Sequence, residues 1–246
     1  PGVTVEKKEG KVKSRKGKEE VIVTDLPGIY SLSPYTLEEV VSRDYLLNED
    51  PDVIVDLVDA TNIERNLYLT TQLIETGIPV VIALNMSDLL EKNNIKIDVK
   101  RLSMLIGCPI IETSALKGTG LTEVIDEAVK VAKKREYKLP GEIFNEDIEK
   151  AVSDVQSMLP DSISDNKKRW YAVKLLERDS KVKESRKFPH AALNQADTAS
   201  KELEQAHDDD MESIITDGRY NYIQKLVAST VKKAKGKVKQ DILEKN

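Results

Sequence analysis

Over the first 135 positions the apolar residues fall into short runs separated by polar punctuation, and the runs follow two different periods. Val21-Ile22-Val23, Val53 to Val58, Val80-Val81-Ile82-Ala83-Leu84 and Pro109-Ile110-Ile111 are strand-like. Leu121, Val124, Ile125, Ala128, Val129 and Ala132 instead recur at i, i+3, i+4, i+7, i+8 and i+11, the stripe of an amphipathic helix. Val3-Thr4-Val5 and Val21-Ile22-Val23 flank a polar stretch with Gly10 and Gly17, which predicts two antiparallel strands joined by a loose turn.

Helix signals fill the gaps. Ser33-Pro34 reads as an N-cap and first helical residue leading a helix through about Leu47. Thr61-Asn62-Ile63-Glu64 has the spacing of a capping box; the helix it opens carries Leu67, Tyr68, Leu73 and Ile74 and stops at Gly77 and Pro79. Asp98 caps a short helix bearing Leu102, Leu105 and Ile106 that ends at Gly107. Strands alternating with helices imply a mainly parallel sheet covered on both faces.

The pattern changes at Leu139-Pro140-Gly141. Strand-like runs end, and helical spacing takes over at Ile148, Ala151, Val152, Val155, Met158 and Leu159, then at Trp170, Val173, Leu175 and Leu176. Residues 184–210 read as polar, and Ile214 to Val231 again as helical, with Tyr220, Tyr222 and Leu226. The expected organisation is an α/β domain over residues 1–138 and a small all-α domain over 139–246, within the range that 246 residues allow.

Composition narrows the classes. A net charge of −5 argues against a general nucleic-acid surface. One cysteine, Cys108, rules out an internal disulfide, fits a reducing compartment and reads as a core thiol at a strand entrance. The longest apolar run, Ile78 to Leu84, is shorter than the roughly 18 residues a membrane span requires.

Three polar motifs follow the apolar runs directly, in the order Asp25-Leu26-Pro27-Gly28, Asn85-Met86-Ser87-Asp88 and Ser114-Ala115-Leu116. Open α/β sheets place their ligand sites at the carboxyl ends of strands. A D-x-x-G, an N-x-x-D and an S-A in this order resemble the guanine-nucleotide elements of small GTPases. The implied fold is P-loop GTPase-like, with a mixed, mostly parallel sheet. An ionised Asp88 can accept both donors of guanine, N1–H and the exocyclic amine, while the Asn85 amide bridges base and neighbouring loop. Backbone amides near Ser114-Ala115 complete recognition of O6. Asp25 is placed to hold Mg²⁺ beside the β- and γ-phosphates, and Gly28 lets its N–H approach the γ-phosphate. Thr4 is the candidate second Mg²⁺ ligand.

Two departures matter. No G-x-x-x-x-G-K followed by Ser or Thr occurs in the chain, which opens at Pro1-Gly2-Val3-Thr4; the expectation is that a strand, a P-loop and a helix precede Pro1. Ile29 stands where a water-orienting glutamine follows the D-x-x-G glycine, which predicts slow intrinsic hydrolysis through another water-positioning group.

The chain also resembles ferrous iron transport protein B in its amino-terminal GTPase region. The likeness rests on Pro1 to Glu6, on Asp25 to Ser31 with Pro34-Tyr35, on Val58-Asp59-Ala60-Thr61-Asn62, on Glu64 to Leu73 and on Ala83-Leu84-Asn85-Met86. It continues more thinly at Arg169 to Leu175 and at Arg219-Tyr220. The resemblance implies a G domain, a helical domain and a following polytopic membrane region that carries Fe²⁺, at the cytoplasmic face of the inner membrane, with self-association possible. It assigns Thr4 to the first switch, Asp25 and Gly28 to the Mg²⁺ and γ-phosphate element, Asn85 and Asp88 to base recognition and Ser114-Ala115 to the last element, with Pro1, Gly2, Val3, Val5, Leu26, Pro27, Met86, Ser87 and Thr113 beside them in nucleotide binding. It further implies that GTP orders the segments near Thr4 and after Gly28, biasing the helical domain. His190, His207 and Cys108 lack metal-ligand spacing, and His207-Asp208-Asp209-Asp210 reads as a solvated acidic turn. Lys232, Lys233, Lys235, Lys237 and Lys239 suit either the flank of a membrane helix or an exposed helix. The rival readings are a soluble GTPase of ribosome or RNA maturation and a non-catalytic GTPase-like interaction module.

Overall fold

The computed structural model describes residues 8–15, 19–136 and 142–233. The chain runs β1 (Lys8–Lys13), β2 (Glu20–Asp25), α1 (Leu37–Asn48), β3 (Ile54–Asp59), α2 (Ile63–Glu75), β4 (Val80–Asn85), β5 (Ile95–Ile97), α3 (Val99–Ile106), β6 (Ile110–Glu112) and α4 (Leu121–Lys134). Helices α5 (Glu146–Ser157), α6 (Asp165–Leu176), α7 (Ser180–Ser185), α8 (His190–His207) and α9 (Met211–Thr230) follow, and β7 (Val231–Lys233) closes the described chain.

β3, β4 and β6 form a parallel sheet in the order β3-β4-β6. Val58 lies opposite Leu84 and Leu84 opposite Glu112, so the three carboxyl ends emerge along one edge. α2 covers one face, where Asp56 and Val58 are buried. α4 packs over β4 on the other, but Leu57 on that face of β3 stays 71% exposed. β1 and β2 pair antiparallel and share no ladder with β3 among the described residues.

Local chemistry shifts several expected boundaries. Val3-Thr4-Val5 lies outside the described residues, and the strand that pairs with β2 is the charged segment Lys8–Lys13, exposed throughout. α1 starts at Leu37, not at Pro34. Thr36 Oγ1 accepts from Glu39 N and Glu39 Oε2 from Thr36 N, both at 3.2 Å, while Ser33 Oγ donates to the same carboxylate at 2.6 Å. The Thr61 box does not form. Asp59 Oδ1 accepts from both Thr61 N (2.8 Å) and Thr61 Oγ1 (2.7 Å), closing a 3-10 turn at Ala60–Asn62 ahead of α2. α3 keeps its predicted Asp98 cap, but Leu105 faces outward. The 184–210 stretch is mostly α8, whose buried stripe is Ala192, Ala196, Ala199 and Leu203.

Two hydrophobic cores result. One joins the parallel sheet with α2 and α3, and Cys108 is buried in it; the other is built from α5, α6, α7 and α8. α9 serves both, giving Met211, Ile214 and Ile215 to the helical core and Ile223 and Leu226 to the sheet core. Twenty helical residues span about 30 Å, enough for one rod to cross both domains.

A carboxylate lies in the first core. Asp56 accepts from Thr70 Oγ1 at 2.5 Å, and burial raises its pKa from 3.8 to about 6. The folded protein therefore binds this proton more tightly than the unfolded chain, so Asp56 costs stability as pH rises through this window, by about 3 kcal/mol above pH 6. Asp56→Asn should melt higher than the parent at pH 8 and lose that advantage near pH 4; thermal melts across pH check it.

Candidate functional site

The carboxyl edge of the parallel sheet carries Asp59, Asn85 and Thr113 at the ends of adjacent strands. Thr113 continues the β6 ladder by donating its N–H to Leu84 O at 2.9 Å. Asn85 is the last residue of β4, and Met86 after it sits at φ 61, in the left-handed region an unbranched non-glycine residue rarely adopts. That reversal folds the following residues back across the sheet edge. Ser87 N (3.2 Å) and Ser87 Oγ (2.8 Å) both donate to Thr113 O. Asn85 Oδ1 accepts from Ala115 N at 3.0 Å and lies 3.4 Å from Thr113 Oγ1. Asn85, Ser87, Thr113 and Ala115 thus form one bonded cluster from two strand ends.

Asp88 completes it. Its carboxylate is held below the usual range by the Ser114 hydroxyl and then by the Lys117 ammonium, 3.5 Å away. It therefore stays ionised at neutral pH and offers acceptors only. The loop beyond Ser114 is a tight reversal in which Ser114 and Thr119 exchange backbone hydrogen bonds, both 3.1 Å. Gly120 ends it at φ +77, where a Cβ would sit 2.3 Å from Glu112 O, so only glycine closes this loop onto α4.

Asp25 ends β2 and is exposed. It makes no hydrogen bond with the Asn85 cluster among the described residues, and neither does Gly28. Leu26 and Ile29 pack against the sheet core, whereas Gly28 is exposed, outside the left-handed region and without a heavy atom within 4 Å of where its Cβ would be. Neither packing nor backbone conformation requires a glycine there. Pro1, Gly2, Val3, Thr4 and Val5 lie outside the described residues, and with them the second candidate Mg²⁺ ligand. Among the described residues no group of three or more His, Cys, Asp or Glu could hold a metal, and no helix is long and apolar enough to cross a membrane.

The segment after Gly28 makes contacts that its sequence does not announce. Arg65 lies over the Tyr30 ring at 4.1 Å, and the fully buried Leu32 donates its N–H to Gln72 Oε1 at 2.7 Å. Tyr35 OH reaches Glu212 at the start of α9 (2.6 Å). In α1, Arg43 forms a bidentate pair with Asp179 (2.8 and 3.0 Å), which also caps α7 through Val182 N. The partners of Tyr30, Leu32, Tyr35 and Arg43 are all more than 30 residues away in sequence, beyond the reach of local pattern.

Residues 1–128 match the family model of ferrous iron transport protein B, and residues 144–232 match that of the FeoB cytosolic helical domain. An Fe(2+) transport protein A/Fe(2+) transporter FeoB fusion protein of Porphyromonas gingivalis is 41% identical over 239 residues, covering 90% of this chain and 27% of that protein. The Fe(2+) transporter FeoB of Escherichia coli strain K12 is 37% identical over 230 residues, covering 90% of this chain and 28% of its own length. The chain thus spans little more than a quarter of the curated relatives it matches. A GDP-bound mutant of the S. thermophilus FeoB G-domain superimposes with a TM-score of 0.87 at 43% identity, covering 94% of this chain and 88% of that one. The S. thermophilus protein bound to GDP.AlF4- and K+ gives 0.83 at 44% identity, covering 92% and 87%.

Proposed function

This chain belongs to the ferrous iron transport protein B family, and we propose that it is the GTP-binding and GTP-hydrolysing regulatory part of an Fe²⁺ membrane transporter. On this reading residues 1–138 form the G domain and 139–246 a helical domain between it and a polytopic membrane region. The assembly sits at the cytoplasmic face of the membrane, with self-association a further partner class and nucleic acid none.

The observation that carries the reading is the bonded cluster of Asn85, Ser87, Asp88, Thr113, Ser114 and Ala115 at one sheet edge. Asn85 ties its strand end to the Ala115 amide, leaving its side-chain amide beside the base position. The Asp88 carboxylate accepts from N1–H and the exocyclic amine of guanine, exchanging its Lys117 contact for them. Adenine lacks that donor pair. A left-handed Met86 is the kind of strain that persists where the surroundings over-determine a binding loop.

On the phosphate side the open space at Gly28 suits backbone approach to a γ-phosphate, and Asp25 is exposed and free to hold Mg²⁺. When bound, Mg²⁺ neutralises phosphate charge. Thr4 is the proposed second ligand, and Pro1, Gly2, Val3 and Val5, with Leu26 and Pro27, line the same side. Ile29 cannot orient a water, which supports slow intrinsic turnover with water positioned by another group.

Calorimetric titration with GDP and ADP tests the reading. Preference for GDP should be roughly 10⁴-fold, as expected where a site's buried polar groups are left unpaired by the wrong ligand. Equal affinities would overturn it, and GTP binding without any phosphate release would assign the non-catalytic module instead.

A further inference from the structure

β7 stands where the two domains meet the base loop. α9 leaves the helical core, enters the sheet core and turns directly into Val231–Lys233, which pairs antiparallel with β5. Asp98 N donates to Thr230 O at 2.7 Å, so the pairing reaches into the last residue of the helix. Bonded and non-bonded pairs alternate along an antiparallel ladder. With Asp98 and Thr230 bonded, the next bonded pair is Lys96 with Lys232.

β5 is the far end of the loop that starts at Asn85. Ile95 N donates to Leu90 O (2.8 Å), Leu90 N to Ser87 O (3.2 Å), Leu89 N to Met86 O (3.0 Å), and Ser87 N to Thr113 O (3.2 Å). From the bonded Lys96–Lys232 pair the route steps along the chain to Ile95 and then follows main-chain hydrogen bonds through Leu90 and Ser87 to Thr113, whose hydroxyl contacts Asn85. Met86, in its left-handed conformation, flanks that route: it directly precedes Ser87 and its carbonyl accepts from Leu89 N. Nothing else among the described residues ties β5 to a neighbouring strand.

Building on the nucleotide-binding reading above, we propose that the β7–β5 pair is a control element for the base loop. Docked β7 holds Asn85–Asp88 in its binding conformation and slows nucleotide release; undocked β7 frees the loop and speeds it. Because α9 crosses both cores, any rotation of the helical domain that shifts the end of α9 reaches the guanine site through this strand. Such a coupling is reciprocal, so bound nucleotide must tighten the β7 pairing. If β7 were only an end-piece of α9, the loop would not feel its loss.

Lys232→Pro deletes the N–H of the central bonded pair, while Lys232→Ala keeps it, and the side chain is exposed, so the alanine variant controls for charge alone. In the full chain, Lys232→Pro should raise amide exchange at Ser87, Leu90 and Ala115, and the rate of GDP release, by about tenfold, within the usual range for coupled sites. Lys232→Ala should change neither. Faster exchange at Ile95–Ile97 with Ser87, Leu90 and Ala115 unchanged would overturn the proposal. The unmodified chain gives an independent reading should the proline variant fail to fold: saturating GDP must slow exchange at the Lys96 amide, and GDP binding without that protection would equally overturn it. Loop amides that respond to Lys232→Pro in a chain that binds no GDP would instead overturn the nucleotide-binding reading on which the proposal rests.

Discussion

Glu75→Ala should lower the free energy of unfolding by about 3–5 kcal/mol, a large share of the stability of a domain this size. Glu75 on α2 and Arg219 on α9 are 0% and 1% exposed and bonded at 2.7 Å, Oε2 to Nη2. Removing the carboxylate strands a guanidinium in the junction between the two cores. Arg169 of α6 approaches the other Glu75 oxygen at 3.8 Å and makes a bidentate pair with Glu149 of α5 (2.7 and 2.8 Å). Glu149 Oε1 in turn accepts from Ile143 N and Phe144 N, fastening the entry to the helical domain. The guanidiniums of Arg169 and Arg219 both lie over the Phe144 ring, at 5.6 and 5.4 Å. Gly218 permits that seat, since a Cβ there would fall 2.7 Å from Phe144 Cδ1. Four helices are thus indexed by one charged network. Because buried pairs recover little of their desolvation cost, the double variant Glu75→Leu with Arg219→Met should be near parental stability. Urea unfolding of the single and double variants checks both statements.

Asp88→Asn should reduce GDP affinity by about 10²–10⁴-fold, the worth of two hydrogen bonds to a charged acceptor, and should create affinity for xanthine diphosphate. Xanthine replaces the exocyclic amine with a carbonyl, so it needs a donor where guanine needs an acceptor, and the asparagine amide supplies one. The substitution keeps the length and branching of the side chain. It leaves the Asn85–Ala115 and Ser87–Thr113 bonds in place, so the loop should hold its shape. Loss of GDP affinity without any gain for xanthine diphosphate would point to a loop collapse instead of a change in base reading. Competition between the two nucleotides for a fluorescent analogue measures the switch.

What the sequence made readable was local. β4 is a continuous apolar run, as a strand buried on both faces must be, and the Asp98 cap of α3 lies within four residues of the amide it bonds. The site motifs were readable as motifs because a strand end and the loop after it are contiguous. Where two local signals compete, sequence alone could not choose. Ser33 and Thr36 both seek Glu39, and Thr36 wins the cap because only it exchanges bonds in both directions. Thr61 has capping-box spacing, but Asp59, two residues earlier, takes both its amide and its hydroxyl.

Charge hid other elements. β1 is exposed on both faces and so shows no alternation, and the buried stripe of α8 is mainly alanine, which a reading tuned to large apolar residues passes over. The remainder is long-range. Glu75 and Arg219 are 144 residues apart, β5 and β7 pair across more than 130, and nothing near either end announces the other. The proposed first switch, with Thr4, lies outside the described residues, so the proposed phosphate side of the site rests on Asp25 and Gly28 alone.

The central claim is that loops at neighbouring strand ends form one guanine-nucleotide crevice, and an amide-resolved NMR titration with GDP and Mg²⁺ tests it most directly. The account predicts that Met86, Ser87, Asp88, Ser114 and Ala115 shift along a single binding isotherm, together with Gly28, and that the amides of α5 and α8 follow only weakly. A saturable GDP response that leaves Met86–Asp88 and Ser114–Ala115 unmoved would contradict it.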